Sequence, residues 1–153
     1  MSIQLSKLVF ATEYVLNTLP GSVVGGSLGL HTRKLLSRTP NDIDIFYYRD
    51  YFPDDLKSLE IVDPQKISPF CTDVFGETIT RRSLNINGVP VCLFVVPPEQ
   101  CKYDILKNDF YRFEIPVQLP IYAIEAKKQY FERYGDEKHG KDIVEIYQSF
   151  FKT

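Results

Sequence analysis

Two acids separated by a single residue, Asp42 and Asp44, stand in the segment Asp42-Ile43-Asp44-Ile45-Phe46-Tyr47-Tyr48, which opens by alternating acidic and apolar residues. In a strand, side chains alternate across the pleat, so both carboxylates share one face with their Cα atoms about 6–7 Å apart. Like charges that close repel each other unless a cation sits between them. Mg²⁺ takes one or two carboxylates and completes its shell with phosphate oxygens and waters, so such a pair suits it. The pair is also open to a structural use, in which one Asp caps a helix or meets an arginine and the other is solvated.

Upstream, Gly25-Gly26-Ser27 follows the short apolar run Val23-Val24. Glycines let the backbone approach a ligand, and the N-terminus of a following helix presents free N–H groups to a phosphate. Fourteen residues separate Ser27 from Asp42, and Arg38-Thr39-Pro40-Asn41 delivers the chain into the acidic segment. An anion site would then face a cation site. Neither the Gly-Lys-Ser/Thr of a Walker A loop nor the dinucleotide fingerprint is present.

The segments Val24-Gly25-Gly26-Ser27 and Arg38-Thr39-Pro40-Asn41-Asp42-Ile43-Asp44-Ile45 resemble the signature of the polymerase-beta-like nucleotidyltransferase superfamily. The minimal members similar to those of bacterial antitoxin systems are nearest in style. Lys127, Arg133, Lys138-His139 and Asp142-Ile143 resemble that group's second block. The resemblance implies an α+β fold, a nucleotidyltransferase-like mixed β-sheet flanked by helices. It also implies transfer of a nucleoside monophosphate from an NTP to an acceptor hydroxyl with release of pyrophosphate, the acceptor being a protein, an RNA end or a small molecule. Asp42 and Asp44 would be the catalytic residues, holding Mg²⁺ or Mn²⁺ in a two-metal arrangement. Gly25, Gly26, Ser27, Arg38 and Lys127 would bind the nucleotide, although a lysine on a solvent-facing helix is also a common reading of Lys127.

One departure stands out. The superfamily places a third carboxylate on a later central strand, and here the corresponding strand, Val89 to Val96, has no acid; by phase, Cys92 takes the position. A thiol is a poor Mg²⁺ ligand. Another acid, with Asp73, Glu77 and Glu99 as candidates, would have to substitute. Otherwise the substrate activates the acceptor, or the domain binds nucleotide or a partner protein without turnover. A third reading is a structural domain whose aspartates only cap or pair.

The elements that must position these residues follow from periodicity. Leu5, Leu8, Val9, Thr12, Val15, Leu16 and Leu19 predict a helix over about 6–18, stopped by Pro20-Gly21. Val23-Val24 predicts a strand and Leu28, Leu35 and Leu36 predict a helix after the glycines. Residues 50–76 carry no sustained period, with a short helix near Leu56 and Leu59. Thr78 to Asn85 and Val89 to Val96, joined at Asn87-Gly88, read as a hairpin whose apolar second strand is central. A short strand near 111–117 precedes two helices over about 120–152. Tyr47, Tyr48, Tyr51 and Phe52 are candidates for stacking a base or for packing in the core or at its rim, and Arg81-Arg82 reads as a solvated hairpin edge or else a contact for an acidic acceptor.

The whole chain of 153 residues fits one domain over 1–153. Its formal charge of −2 excludes a protein that tracks along extended nucleic acid. The charge is uneven: residues 1–41 carry +3 and 42–77 carry −6, so cationic groups precede the acidic pair. No stretch approaches the length of a membrane span. The three cysteines match no zinc or disulfide pattern, which points to reduced thiols and a cytoplasmic location.

Overall fold

The structure, a computed structural model, describes residues 3–49, 53, 70–72, 78–107 and 114–150. Helix α1 (Ile3–Thr18) buries Leu8, Ala11, Thr12 and Val15 at helical spacing. Thr12 Oγ1 donates to the Leu8 carbonyl at 2.7 Å, so the one polar residue on that face is satisfied. Pro20 cannot continue the helix, and Gly21 turns the chain at φ 91°.

Strand β1 (Val23–Gly25) leads directly into α2 (Gly26–Thr32). The apolar period through Leu35 and Leu36 predicts a longer helix, but α2 stops at Thr32. Lys34 takes a positive φ of 64°, and the Leu35 N–H donates to the Leu30 carbonyl at 2.9 Å. His31 Nδ1 lies 3.0 Å from the Leu36 carbonyl. Leu36 is buried because the loop folds back under α2, and burial alone produced the helical spacing.

Strands β2 (Ile43–Tyr47), β3 (Phe70–Thr72), β4 (Thr78–Ile86), β5 (Val89–Val95), β6 (Tyr103–Leu106) and β7 (Ile115–Gln118) complete a seven-stranded sheet ordered β3-β4-β5-β2-β1-β7-β6. It is mixed: β2 runs parallel to β5 and β1 to β7, and the other neighbours are antiparallel. The predicted hairpin is present, with Ile86 opposite Val89 and both Asn87 and Gly88 at positive φ. A 3₁₀ turn (Pro98–Cys101) follows β5. Helix α3 (Pro120–Tyr134) begins on Pro120 and ends where Gly135, at φ 63°, returns its N–H to the Phe131 carbonyl. Helix α4 (Glu137–Phe150) follows. The weakly patterned stretch 50–76, with its expected helix near Leu56 and Leu59, lies outside the described residues except for 53 and 70–72.

The two faces of the sheet do different work. Ile43, Ile45, Tyr47, Val91 and Leu93 point to one side and form the main core with Leu8, Ala11 and Val15 of α1. The intervening residues Asp44, Phe46, Cys92 and Phe94 point to the other. There α2 packs on β1, β2 and α3, and Leu30, Leu36, Ala123 and Ile146 lock α2, its trailing loop, α3 and α4 together. Ile146 is completely buried in that cluster. Replacing it by Ala should cost about 2–5 kcal/mol of unfolding free energy, read as a lower denaturation midpoint at unchanged denaturant slope.

Candidate functional site

The sheet register assembles the site. Gly25 at the end of β1 lies opposite Asp44 on β2, and Asp44 lies opposite Cys92 on β5, so the three form a row across adjacent strands. Gly26, the first residue of α2, has φ 58°, and a Cβ there would run into Asp44 Oδ2. At Gly25 an added Cβ would stand 2.5 Å from both Phe46 Cε2 and Gln118 Oε1. Both glycines are thus required by space, and at Gly26 also by backbone conformation.

Gly26, Ser27, Asp42, Asp44, Cys92 and Lys127 line one cavity of about 450 Å³. Its other walls carry Arg81, His139 and the aromatic rings of Phe46, Phe94, Tyr122 and Tyr130. Of the residues that the sequence pointed to, Gly25 and Arg38 sit just behind this surface. Glu99 is exposed on the 3₁₀ turn, while Asp73 and Glu77 lie outside the described residues.

No described residue hydrogen-bonds to the Asp44 carboxylate. Burial, and then the charge of Asp42, raise its pKa from the ordinary aspartate value to about 6, although Lys127 and Arg81 act in the opposite direction. Among the described residues this carboxylate has no neutralising contact, and it shares a face with the exposed Asp42. Among the described residues, no group of three or more His, Cys, Asp and Glu side chains is placed to hold a metal ion. The described carboxylates here are a pair, which fits a hard cation that brings phosphate oxygens and water with it.

Beside the acids lies a cationic cradle. Asp142 of α4 accepts from Arg38 through both oxygens, Nε to Oδ1 at 3.0 Å and Nη2 to Oδ2 at 2.7 Å, and from Lys127 Nζ at 2.8 Å. Ser27 Oγ lies 3.1 Å from Arg38 Nη2 and 2.9 Å from Lys127 Nζ. Burial alone would raise the Asp142 carboxyl, but the hydrogen bonds from Arg38 and Lys127 overcome it and hold the group down at about 2. Burial lowers the pKa of Lys127 despite its bond to Asp142. Lys127 is 4% exposed, so the solvent-facing reading of this lysine is overturned.

His139 stacks on Tyr130 with ring centroids 5.5 Å apart, and its Nδ1 lies 3.5 Å from Lys127 Nζ. Burial and then Lys127 lower its pKa. Arg81 also differs from the solvated edge expected of it. Opposite Phe94 on the cavity face of the sheet, Arg81 is half-buried and lines the cavity with Nη2 3.5 Å from Cys92 Sγ. Tyr47 is buried in the core and Tyr48 packs outside the cavity; the aromatic wall comes instead from Phe46, Phe94, Tyr122 and Tyr130. Alternation along β2 and β5 places the two phenylalanines with the aspartates, and that signal is in the sequence.

No family model matches the chain, nor does any curated protein. Its fold matches the crystal structure of a putative nucleotidyltransferase from Thermotoga maritima with a TM-score of 0.60 at 17% identity, over 92% of this chain and 94% of that one. The chain therefore has a nucleotidyltransferase-like α+β fold, a mixed sheet flanked by helices. Among the described residues, no helix is long and apolar enough to cross a membrane.

Two opposite shifts give opposite pH behaviour. The folded pKa of Asp44 is raised, so its contribution to stability is present below about pH 4 and is lost as pH rises through about 6. In metal-free protein, Asp44→Asn should therefore be more stable than the parent by about 1–3 kcal/mol at pH 7.5, with the gain vanishing near pH 4 in denaturant titrations. The folded pKa of Asp142 is depressed, so its contribution is present above about pH 4 and is lost as pH falls toward 2. Asp142→Ala leaves Lys127 buried without its counter-charge and should cost about 3–5 kcal/mol at neutral pH by the same measurement.

Proposed function

We propose that this chain is a nucleotidyltransferase that binds an NTP together with Mg²⁺ or Mn²⁺ and transfers its nucleoside monophosphate to an acceptor hydroxyl. One observation carries the reading: Gly26 and Ser27 from the β1–α2 junction, Asp42 and Asp44 from β2 and Lys127 from α3 converge on one cavity. Its volume falls within the range of small-ligand sites.

The roles follow from position. The backbone at Gly26 and Ser27 can approach phosphate oxygens because neither a Cβ at Gly26 nor a side chain at Gly25 intervenes. Lys127 and Arg38 supply positive charge at Ser27, and their bonds to Asp142 fix where that charge sits. Asp42 and Asp44 would hold the cation, which when bound offsets phosphate charge. The rings of Tyr122 and Tyr130 offer surfaces against which a base can pack. Free Cys92 and Cys101 suit a reducing cytoplasm. The acceptor class spans a protein, an RNA end or a small molecule.

A second reading, nucleotide binding without turnover, is favoured by one observation: the residue opposite Asp44 is Cys92, so the site lacks an acid there. The two separate in a single experiment. With each α-labelled NTP, Mg²⁺ or Mn²⁺ and a panel of acceptors, the transferase reading predicts incorporation that falls about hundredfold or more in Asp42→Ala and in Asp44→Ala. Thermal stabilisation by NTP and Mg²⁺ without incorporation would establish the binding reading. Incorporation that survives both substitutions would remove Asp42 and Asp44 from the site.

A further inference from the structure

Resting on that reading, we propose that Arg38 and Asp142 act on the nucleotide through Ser27: they fix its hydroxyl as a hydrogen-bond donor aimed into the cavity at an anionic phosphate oxygen. They are positioning residues and do not touch the phosphates themselves. Ser27, Lys127 and His139 line the cavity, whereas Arg38 and Asp142 stand behind it. The hydrogen bonds among these five residues settle which of them has a proton left to offer.

A serine hydroxyl accepts through two lone pairs and donates a single proton. Arg38 Nη2 donates to Ser27 Oγ at 3.1 Å and Lys127 Nζ donates to it at 2.9 Å, so cations engage both lone pairs. Neither a guanidinium nor an ammonium accepts a hydrogen bond, so the serine proton must point away from both. Among the described residues no acceptor takes it, and the cavity is what Ser27 otherwise faces. The protons of the cations are directed inward instead. The other proton on Arg38 Nη2 goes to Asp142 Oδ2 at 2.7 Å, and its Nε proton goes to Oδ1 at 3.0 Å. Lys127 Nζ donates to Asp142 Oδ2 at 2.8 Å and, at the longer distance of 3.5 Å, to His139 Nδ1. Because an ammonium only donates, His139 accepts at Nδ1 and carries its proton on Nε2, which faces Asp136 Oδ2 at 3.8 Å. A hydroxyl locked as a donor between two cations favours a charged oxygen over a group that must itself donate, and that preference matches an ionised phosphate.

The test is a double-mutant cycle on binding, read by calorimetry on the full chain with Mg²⁺ and an α,β-nonhydrolysable analogue of each of the four NTPs, the tightest being carried forward. Ser27→Ala should weaken binding by about tenfold or more, and Ser27→Thr, which restores the hydroxyl, should bind close to the parent. Arg38→Gln should also lose about tenfold, yet almost nothing further when combined with Ser27→Ala. Asp142→Asn should follow the same pattern. The loss from Arg38→Gln should return in full when it is combined with Ser27→Thr, whereas a merely structural role would weaken binding equally in every background. If Arg38→Gln does not fold, Arg38→Lys reads the same coupling, because it keeps the charge but can reach Asp142 or Ser27 and not both. Losses that multiply to about hundredfold in the double variant, or a folded Ser27→Ala that binds as the parent does, would overturn the proposal and leave the nucleotidyltransferase reading intact. Folded parent protein that binds none of the four analogues would remove both.

Discussion

The buried contact between Lys127 and Asp142 is the constraint on which the site depends. A lysine at 4% exposure would ordinarily be neutral or excluded, yet here it meets a carboxylate that Arg38 also clamps through both oxygens. Removing two charges from water costs several kcal/mol each, and attraction alone rarely does more than offset it. Such a pair is a poor source of stability but a demanding source of geometry. It fixes α4 to α3, ties both to the loop after α2, and through Ser27 sets the distance between this charge and the start of α2.

The acids are managed in the opposite way. Asp44 is given no hydrogen bond by the described residues, and burial together with Asp42 raises its carboxyl to about 6. The fold therefore holds a satisfied charge cluster beside an unsatisfied one. On the proposed reading, a polyanion carrying its own metal would meet both, its phosphates at the cradle and its cation at the acids. The close approach of Gly26 to Asp44 is what brings the two clusters into one cavity.

Much of this was legible in the sequence because it is local. Alternation along Asp42 to Tyr48 assigns the acids and Phe46 to one face, and Asn87-Gly88 sets the hairpin register that puts Cys92 and Phe94 on one face of β5; the pairing of Cys92 with Asp44 comes from the parallel β2–β5 ladder, which is not local. What was not legible depends on long-range docking. The burial of Lys127 needs Asp142, which belongs to the block resembling the superfamily but carries no local sign of its role. Arg81 reads as a solvated edge because the cavity it lines is assembled from β2, β5, α2 and α3, which no local pattern shows. The end of α2 at Thr32 was hidden because Leu36 is buried, and Leu35 partly so, for a reason other than helix formation. Strand β6 is short and largely exposed, and gives no alternating signal.

The order of these parts along the chain has a consequence for synthesis. The residues joined by the Arg38–Asp142 bond are 104 positions apart, and the sheet strands all precede α3 and α4. Chains emerge from the ribosome at about 5–20 residues per second. For several seconds, therefore, a nascent chain displays the glycine junction and both aspartates with nothing to hold Arg38 or to supply Lys127. Until α3 and α4 dock, such an intermediate lacks the Arg38–Asp142–Lys127 cluster. The charge cluster at Ser27 thereby exists only in molecules in which α3 and α4 are already in place.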